Sequence, residues 1–116
     1  MTTNTPHPTV ALEKLTKQHI AEMRSFQNPP INVKMVMSSV LAALGQQETW
    51  QIGQRVMNDP NFLKKLRDYD CDNLNPHIYK RLQGYVELES YDPKVLTRQS
   101  LAASELANWV ILLVLW

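Results

Sequence analysis

Asp68, Asp70 and Asp72 alternate as the first ligands of a calcium-binding loop do, but Asn73 stands where that loop needs its turn glycine and Tyr79 where it needs a bidentate glutamate. No calcium site is expected there. His7, His19 and His77 are scattered along the chain, so packing or capping describes them better than metal ligation. With three glycines in all, no phosphate-cradling loop and no paired-histidine motif, the chain is expected to be no enzyme and to use no metal or cofactor. The single Cys71 allows no internal disulfide and reads as a loop thiol in a reducing compartment. What remains is charge. Lys34, Lys64, Lys65, Arg67, Lys80, Arg81, Lys94 and Arg98 lie outside the main apolar stripes and could meet an acidic partner.

Those cations must be positioned by short helices. The 116 residues are 44% hydrophobic and 20% charged, enough for one small core. The net charge of +1 gives no bulk steering, so any attraction must come from local clusters. Pro29-Pro30 opens a first helix with Val33, Val36, Met37, Val40, Leu41 and Leu44 on one stripe and Gly45 as its stop. Its other face carries Met35, Ser38, Ser39 and Ala42, soft or small residues able to approach a partner. A second helix is expected from Thr49-Trp50 to about Met57. A third starts at Asp59 as N-cap with Pro60 behind it and puts Phe62, Leu63, Leu66 and Tyr69 inward. Asn75-Pro76 repeats the signal for a fourth, with Ile78, Leu82 and Val86 inward. Asp92-Pro93 then starts the longest helix, with Val95, Gln99, Ala102, Leu106, Trp109 and Val110 on one stripe and no breaker before the chain end.

Both ends carry matching seams. Leu12, Leu15, His19, Met23 and Phe26 step by 3-4-4-3, and Leu106, Trp109, Leu113 and Trp116 by 3-4-3, as two helices in contact require. The fold expected is all-α, a compact bundle of about six short helices at the tip of a truncated antiparallel coiled-coil stalk. Residues 1–10 form a flexible leader, 11–28 the outgoing stalk helix, 29–105 the module and 106–116 the start of the returning helix. The leader lacks the apolar core of a signal peptide. The apolar run at 110–116 falls short of the roughly 20 residues of a membrane span and reads as a buried helix cut short.

Asn28-Pro29-Pro30-Ile31-Asn32-Val33-Lys34 resembles the entry from the stalk into the microtubule-binding domain of dynein heavy chains. Asp59-Pro60-Asn61-Phe62-Leu63-Lys64-Lys65-Leu66 with Tyr69-Asp70 and Asp72-Asn73 looks like the next family block. Tyr91-Asp92-Pro93 through Val95, Arg98, Ser100, Ala102-Ala103 and Trp109-Val110 looks like the last, so the likeness spans about residues 12–110 in order. The resemblance implies a grip on α/β-tubulin at the end of a stalk, joined through that stalk to the rest of a heavy chain whose ATPase ring lies elsewhere. It implies contacts by Lys34, by Lys64, Lys65 and Arg67, and by Arg98, with Lys80 and Arg81 as weaker candidates and Pro29-Pro30 as the stalk hinge. Sliding of one stalk helix against the other would set the affinity. Lys94 departs from cytoplasmic relatives, which commonly carry an acidic residue there, and adds positive charge to the same face. The block around Asp70 and Asp72 is more similar to axonemal heavy chains, favouring a cilium or flagellum over the cytoplasm. Neither nucleic acid nor membrane is an expected partner, since no contiguous basic stripe and no full apolar span is present. The rival reading is a small helical module for another acidic partner or a membrane surface.

Overall fold

The computed structural model describes residues 5–116, which are helical throughout their regular structure. A 3-10 helix (Pro8–Leu12) precedes seven α-helices: α1 (Lys17–Arg24), α2 (Ile31–Ala43), α3 (Trp50–Met57), α4 (Phe62–Arg67), α5 (Pro76–Val86), α6 (Pro93–Leu96) and α7 (Leu101–Leu115). A second 3-10 turn, Cys71–Asn73, joins α4 to α5. α7 is the axis, with the first 3-10 helix, α1, α2, α5 and α6 packed around it. Trp109 is fully buried there, edge-on to Tyr69 at 5.3 Å between ring centroids.

Local chemistry sets the element ends. Thr49 caps α3 and Asn75 caps α5 through side-chain oxygens that accept from backbone N–H groups, with Pro76 at the first position of α5. Gly45, at φ 72°, closes α2: its N–H donates to the Ala42 carbonyl and that of Gln46 to the Leu41 carbonyl, the left-handed stop that favours glycine. α3 lies so close to α2 that a Cβ added at Gly53 would fall 2.8 Å from Met37 Cγ.

Several sequence expectations are corrected. The outgoing helix over 11–28 is broken: residues 13–16 leave the helix, and α1 starts afresh at Thr16. There Thr16 Oγ1 accepts from the His19 N–H and His19 Nδ1 accepts from the Thr16 N–H, both at 3.2 Å. His19 is therefore a capping residue; Ile20 and Met23 turn inward, and Phe26 lies beyond the helix end. Leu15 and Met23 share one core with Leu106, Trp109 and Leu113, but from separate elements. Of the expected leader, residues 1–4 lie outside the described residues, while Pro8 is buried at the head of the 3-10 helix.

The long last helix is likewise two. Ser100 becomes an N-cap whose hydroxyl accepts from the Ala103 N–H at 3.1 Å. α6 is folded back onto α7 by a knot in which the Thr97 and Ser104 hydroxyls donate to the Pro93 carbonyl at 2.8 and 2.9 Å. Leu96 takes the core position, leaving Val95 and Gln99 exposed. The third helix starts at Phe62, because Asp59 caps a preceding turn by accepting from the Asn61 N–H. The face of α2 expected to meet a partner is partly core: Ala42 is buried, and the buried Ser39 hydroxyl bonds the Tyr91 hydroxyl at 2.6 Å. No helix is long and apolar enough to cross a membrane among the described residues.

Candidate functional site

The Pro29-Pro30 corner organises the surface cations. Proline removes backbone donors and disfavours helix in the residue before it, so α1 and α2 are separate rods. Pro30 is the N-cap of α2 and offers no side-chain bond. α2 thus has neither a side-chain cap nor an acidic residue in its first turn to complement the positive end of its dipole, one turn from Lys34. The end of α1 is fastened from α3: Trp50 Nε1–H donates to the Phe26 carbonyl at 3.0 Å, and Gln54 Nε2 donates to the Arg24 and Phe26 carbonyls at 3.0 and 3.2 Å. Carbonyls that a helix end leaves without partners are thus satisfied by a neighbour.

Lys34 and Arg98 flank this corner. Lys34 lines a cleft with Gln27, Asn28 and Pro29, and Arg98 lines another with Glu22 and Phe26. Arg98 sits in the α6–α7 turn, four residues after Lys94. The segment that carries Lys94 and Arg98 is tied down by the Thr97–Ser104–Pro93 knot, and the approach to it by Tyr91 on Ser39. Lys34, Lys94 and Arg98 are exposed, and among the described residues none makes an ion pair.

α4 carries the second group. Lys64, Lys65 and Arg67 are all exposed there, but Lys64 pairs with Asp68 at 2.6 Å and Lys65 with Asp59 at 2.7 Å; Arg67 makes no ion pair among the described residues. The Lys65 bond, aided by the Asn61 N–H, holds the Asp59 carboxyl below its ordinary range. α4 borders α1 along a groove lined by Lys17, Ile20 and Arg24, whereas the cleft of Arg98 takes other α1 residues, Glu22 and Met23.

Arg81 belongs to a third arrangement. Its Nε and Nη2 donate to the two carboxylate oxygens of Glu48 at 2.6 and 2.8 Å, and the Tyr85 hydroxyl donates to the same carboxylate. Partial burial pushes the Glu48 pKa upward, but the bonds from Arg81 and Tyr85 outweigh it and the carboxyl titrates below its ordinary range. Burial and the carboxylate together push the Tyr85 hydroxyl up to about 12. Lys80, one residue earlier, is exposed.

The aspartates that imitate a calcium loop are used locally, Asp70 accepting from the Asp72 N–H at 3.3 Å and from Asn73 Nδ2 at 3.0 Å. Among the described residues no group of His, Cys, Asp and Glu is placed to hold a metal. Burial raises the Cys71 thiol above its ordinary pKa, which works against thiolate chemistry. The site is thus a surface of charges, and its family decides what it grips. The family described as the microtubule-binding stalk of the dynein motor matches residues 6–116.

This chain belongs to that family.

The stalk domain is 36% identical over 100 residues to human dynein axonemal heavy chain 2, covering 86% of this chain and 2% of that one. It is 33% identical over 94 residues to human dynein axonemal heavy chain 6, covering 81% and 2%. It is 28% identical over 100 residues to the dynein-1-beta heavy chain of the flagellar inner arm I1 complex of Chlamydomonas reinhardtii, covering 86% and 2%. The domain therefore spans a few per cent of the length of these relatives. Its fold is that of the microtubule-binding domain of dynein-c, with a TM-score of 0.79 and 24% identity over 91% of this chain and 77% of the other.

The roles of Trp50, Gln54, Glu48 and Ser104, and the bond that joins Ser39 to Tyr91, escaped the sequence reading of the site. Most act across distant stretches of chain, Ser104 across 7 and 11 residues, whereas the caps Thr16 and Ser100 are local: a hydroxyl three residues ahead of the N–H it bonds.

Proposed function

We propose that this stalk domain grips the acidic surface of a microtubule mainly through the corner cations Lys34, Lys94 and Arg98, with Arg67 and the paired Lys64 and Lys65 on α4 as a weaker flank. The observation that carries the reading is the family match over residues 6–116, and the uncompensated charge at the Pro29-Pro30 corner selects the face. Cations without internal partners retain their full attraction for an acidic partner and forfeit no ion pair on binding.

Affinity is set through the corner. Residues 8–15 run beside α7, and α1, fastened to α3, separates them from Pro29-Pro30. A shift of the outgoing chain along α7 would pass through α1 to the corner and tilt α2 with Lys34. The rest of a heavy chain, joined through the stalk, supplies that shift, and the axonemal relatives favour a cilium or flagellum as the setting. Extending both ends into a coiled coil locked in either of two registers tests the mechanism. Co-sedimentation with microtubules should give affinities differing by about tenfold, in the 1–3 kcal/mol range of allosteric coupling. Equal affinities would contradict the sliding mechanism while leaving the grip itself in place.

A further inference from the structure

Ile31 is the most exposed large apolar side chain among the described residues, at 80% of its full accessibility. It is the first residue of a 13-residue helix whose inner face is locked: Val33, Val36 and Val40 are fully buried and Met37 nearly so. Neither local structure nor packing calls for isoleucine at this position. A first helical turn favours proline or acidic residues, and a β-branched side chain lowers helix propensity. On the same helix face, three and four residues on, stand Lys34 and Met35. Lys34 is exposed and makes no ion pair among the described residues, while Met35 is half-buried with the Ser90 hydroxyl 3.9 Å from its sulfur. An exposed aliphatic group beside a free cation, on a rigid rod, has the make-up of an interface anchor with a charged neighbour.

The occupant follows from charge. A second copy of this chain meeting the same face about a two-fold axis would bring Lys34 against Lys34. A lone isoleucine at a helix start offers a lipid surface too little apolar area. A protein surface that sets an apolar recess beside acidic groups satisfies both. We propose that Ile31 is an apolar anchor of the microtubule contact, buried against tubulin beside the acidic groups that Lys34 meets; this rests on the grip reading given above.

The test is microtubule co-sedimentation of the whole chain in a potassium chloride series, with Ile31→Ser, Ile31→Leu and Lys34→Glu. Ile31 is exposed, so matching thermal melts of the variants should confirm intact folding. Ile31→Ser is expected to bind about tenfold more weakly by the same factor at low and high salt, because apolar burial is not screened. Ile31→Leu should stay within about twofold of the natural chain. The Lys34→Glu penalty should instead shrink as salt rises. An Ile31→Ser chain that binds like the natural one, or whose penalty vanishes with salt, overturns the anchor while a salt-sensitive Lys34→Glu loss leaves the grip standing. Failure of the natural chain to pellet at low salt overturns both.

Discussion

Two groups of cations share this small surface and differ in what surrounds them. On α4, Lys64 and Lys65 face Asp68 and Asp59 of their own chain, whereas Lys34 beside the proline corner, and Lys94 and Arg98 on α6 and the turn after it, face no carboxylate within bonding reach among the described residues. The helix with the densest positive charge thus offers a partner less of it than the corner does. A carboxylate already in place must be displaced or shared before its lysine can bind elsewhere, and an exposed pair is itself worth only about 0–1 kcal/mol. Counting basic residues would rank α4 first; accounting for their partners ranks the corner first.

That ranking can be broken by experiment. The largest effect is expected for Arg98→Glu and Lys34→Glu, each lowering microtubule affinity about tenfold or more at low salt, with the loss shrinking as salt rises. Arg67→Glu should follow at roughly threefold to fivefold, since Arg67 is the one α4 cation of this group without an internal ion pair among the described residues. Lys64→Gln and Lys65→Gln should each stay within about twofold in the same pelleting assay. The smallest effect runs in the opposite direction: Asp68→Asn releases Lys64 and should tighten binding slightly, by up to about twofold at low salt.

The Glu48–Arg81 pair predicts a pH dependence of stability. Its carboxyl titrates lower in the folded chain than in the unfolded one, so its contribution is present above the unfolded pKa of about 4.3 and is lost as pH falls through the lower folded value. The difference in melting temperature between the natural chain and Glu48→Gln should therefore be constant near neutrality and shrink below about pH 4. A difference that persists unchanged at pH 3 would mean that the charge of Glu48 is not what binds α5 to the α2–α3 connection.

Much of the fold was legible because its signals are local. Pro29-Pro30, the Gly45 stop, Thr49-Trp50 and Asn75-Pro76 bracket α2, α3 and α5 as their spacing predicts. The breaks at Thr16 and Ser100 were not. Apolar residues keep helical spacing on both sides of each, so periodicity reads straight through, while a capping hydroxyl looks like any polar surface residue. In the candidate site, the outward direction of Lys64 and Arg67 and the place of Lys34 at the edge of its stripe could be read from helix faces, and the i, i+4 spacing of Lys64 and Asp68 permits the pair that forms. The Arg81–Glu48 pair, the Tyr91–Ser39 bond and the clamp of Trp50 on Phe26 could not, because they join residues 24 to 52 positions apart that only the fold brings together.

The most direct test is a microtubule co-sedimentation titration at low salt of the natural chain, Arg98→Glu and Lys64→Glu, each first shown to be folded. The natural chain should pellet, Arg98→Glu should lose about tenfold or more in affinity, and Lys64→Glu should lose several-fold less. Equal losses in the two variants, or a larger one in Lys64→Glu, would contradict the claim that the free cations of the proline corner carry the grip.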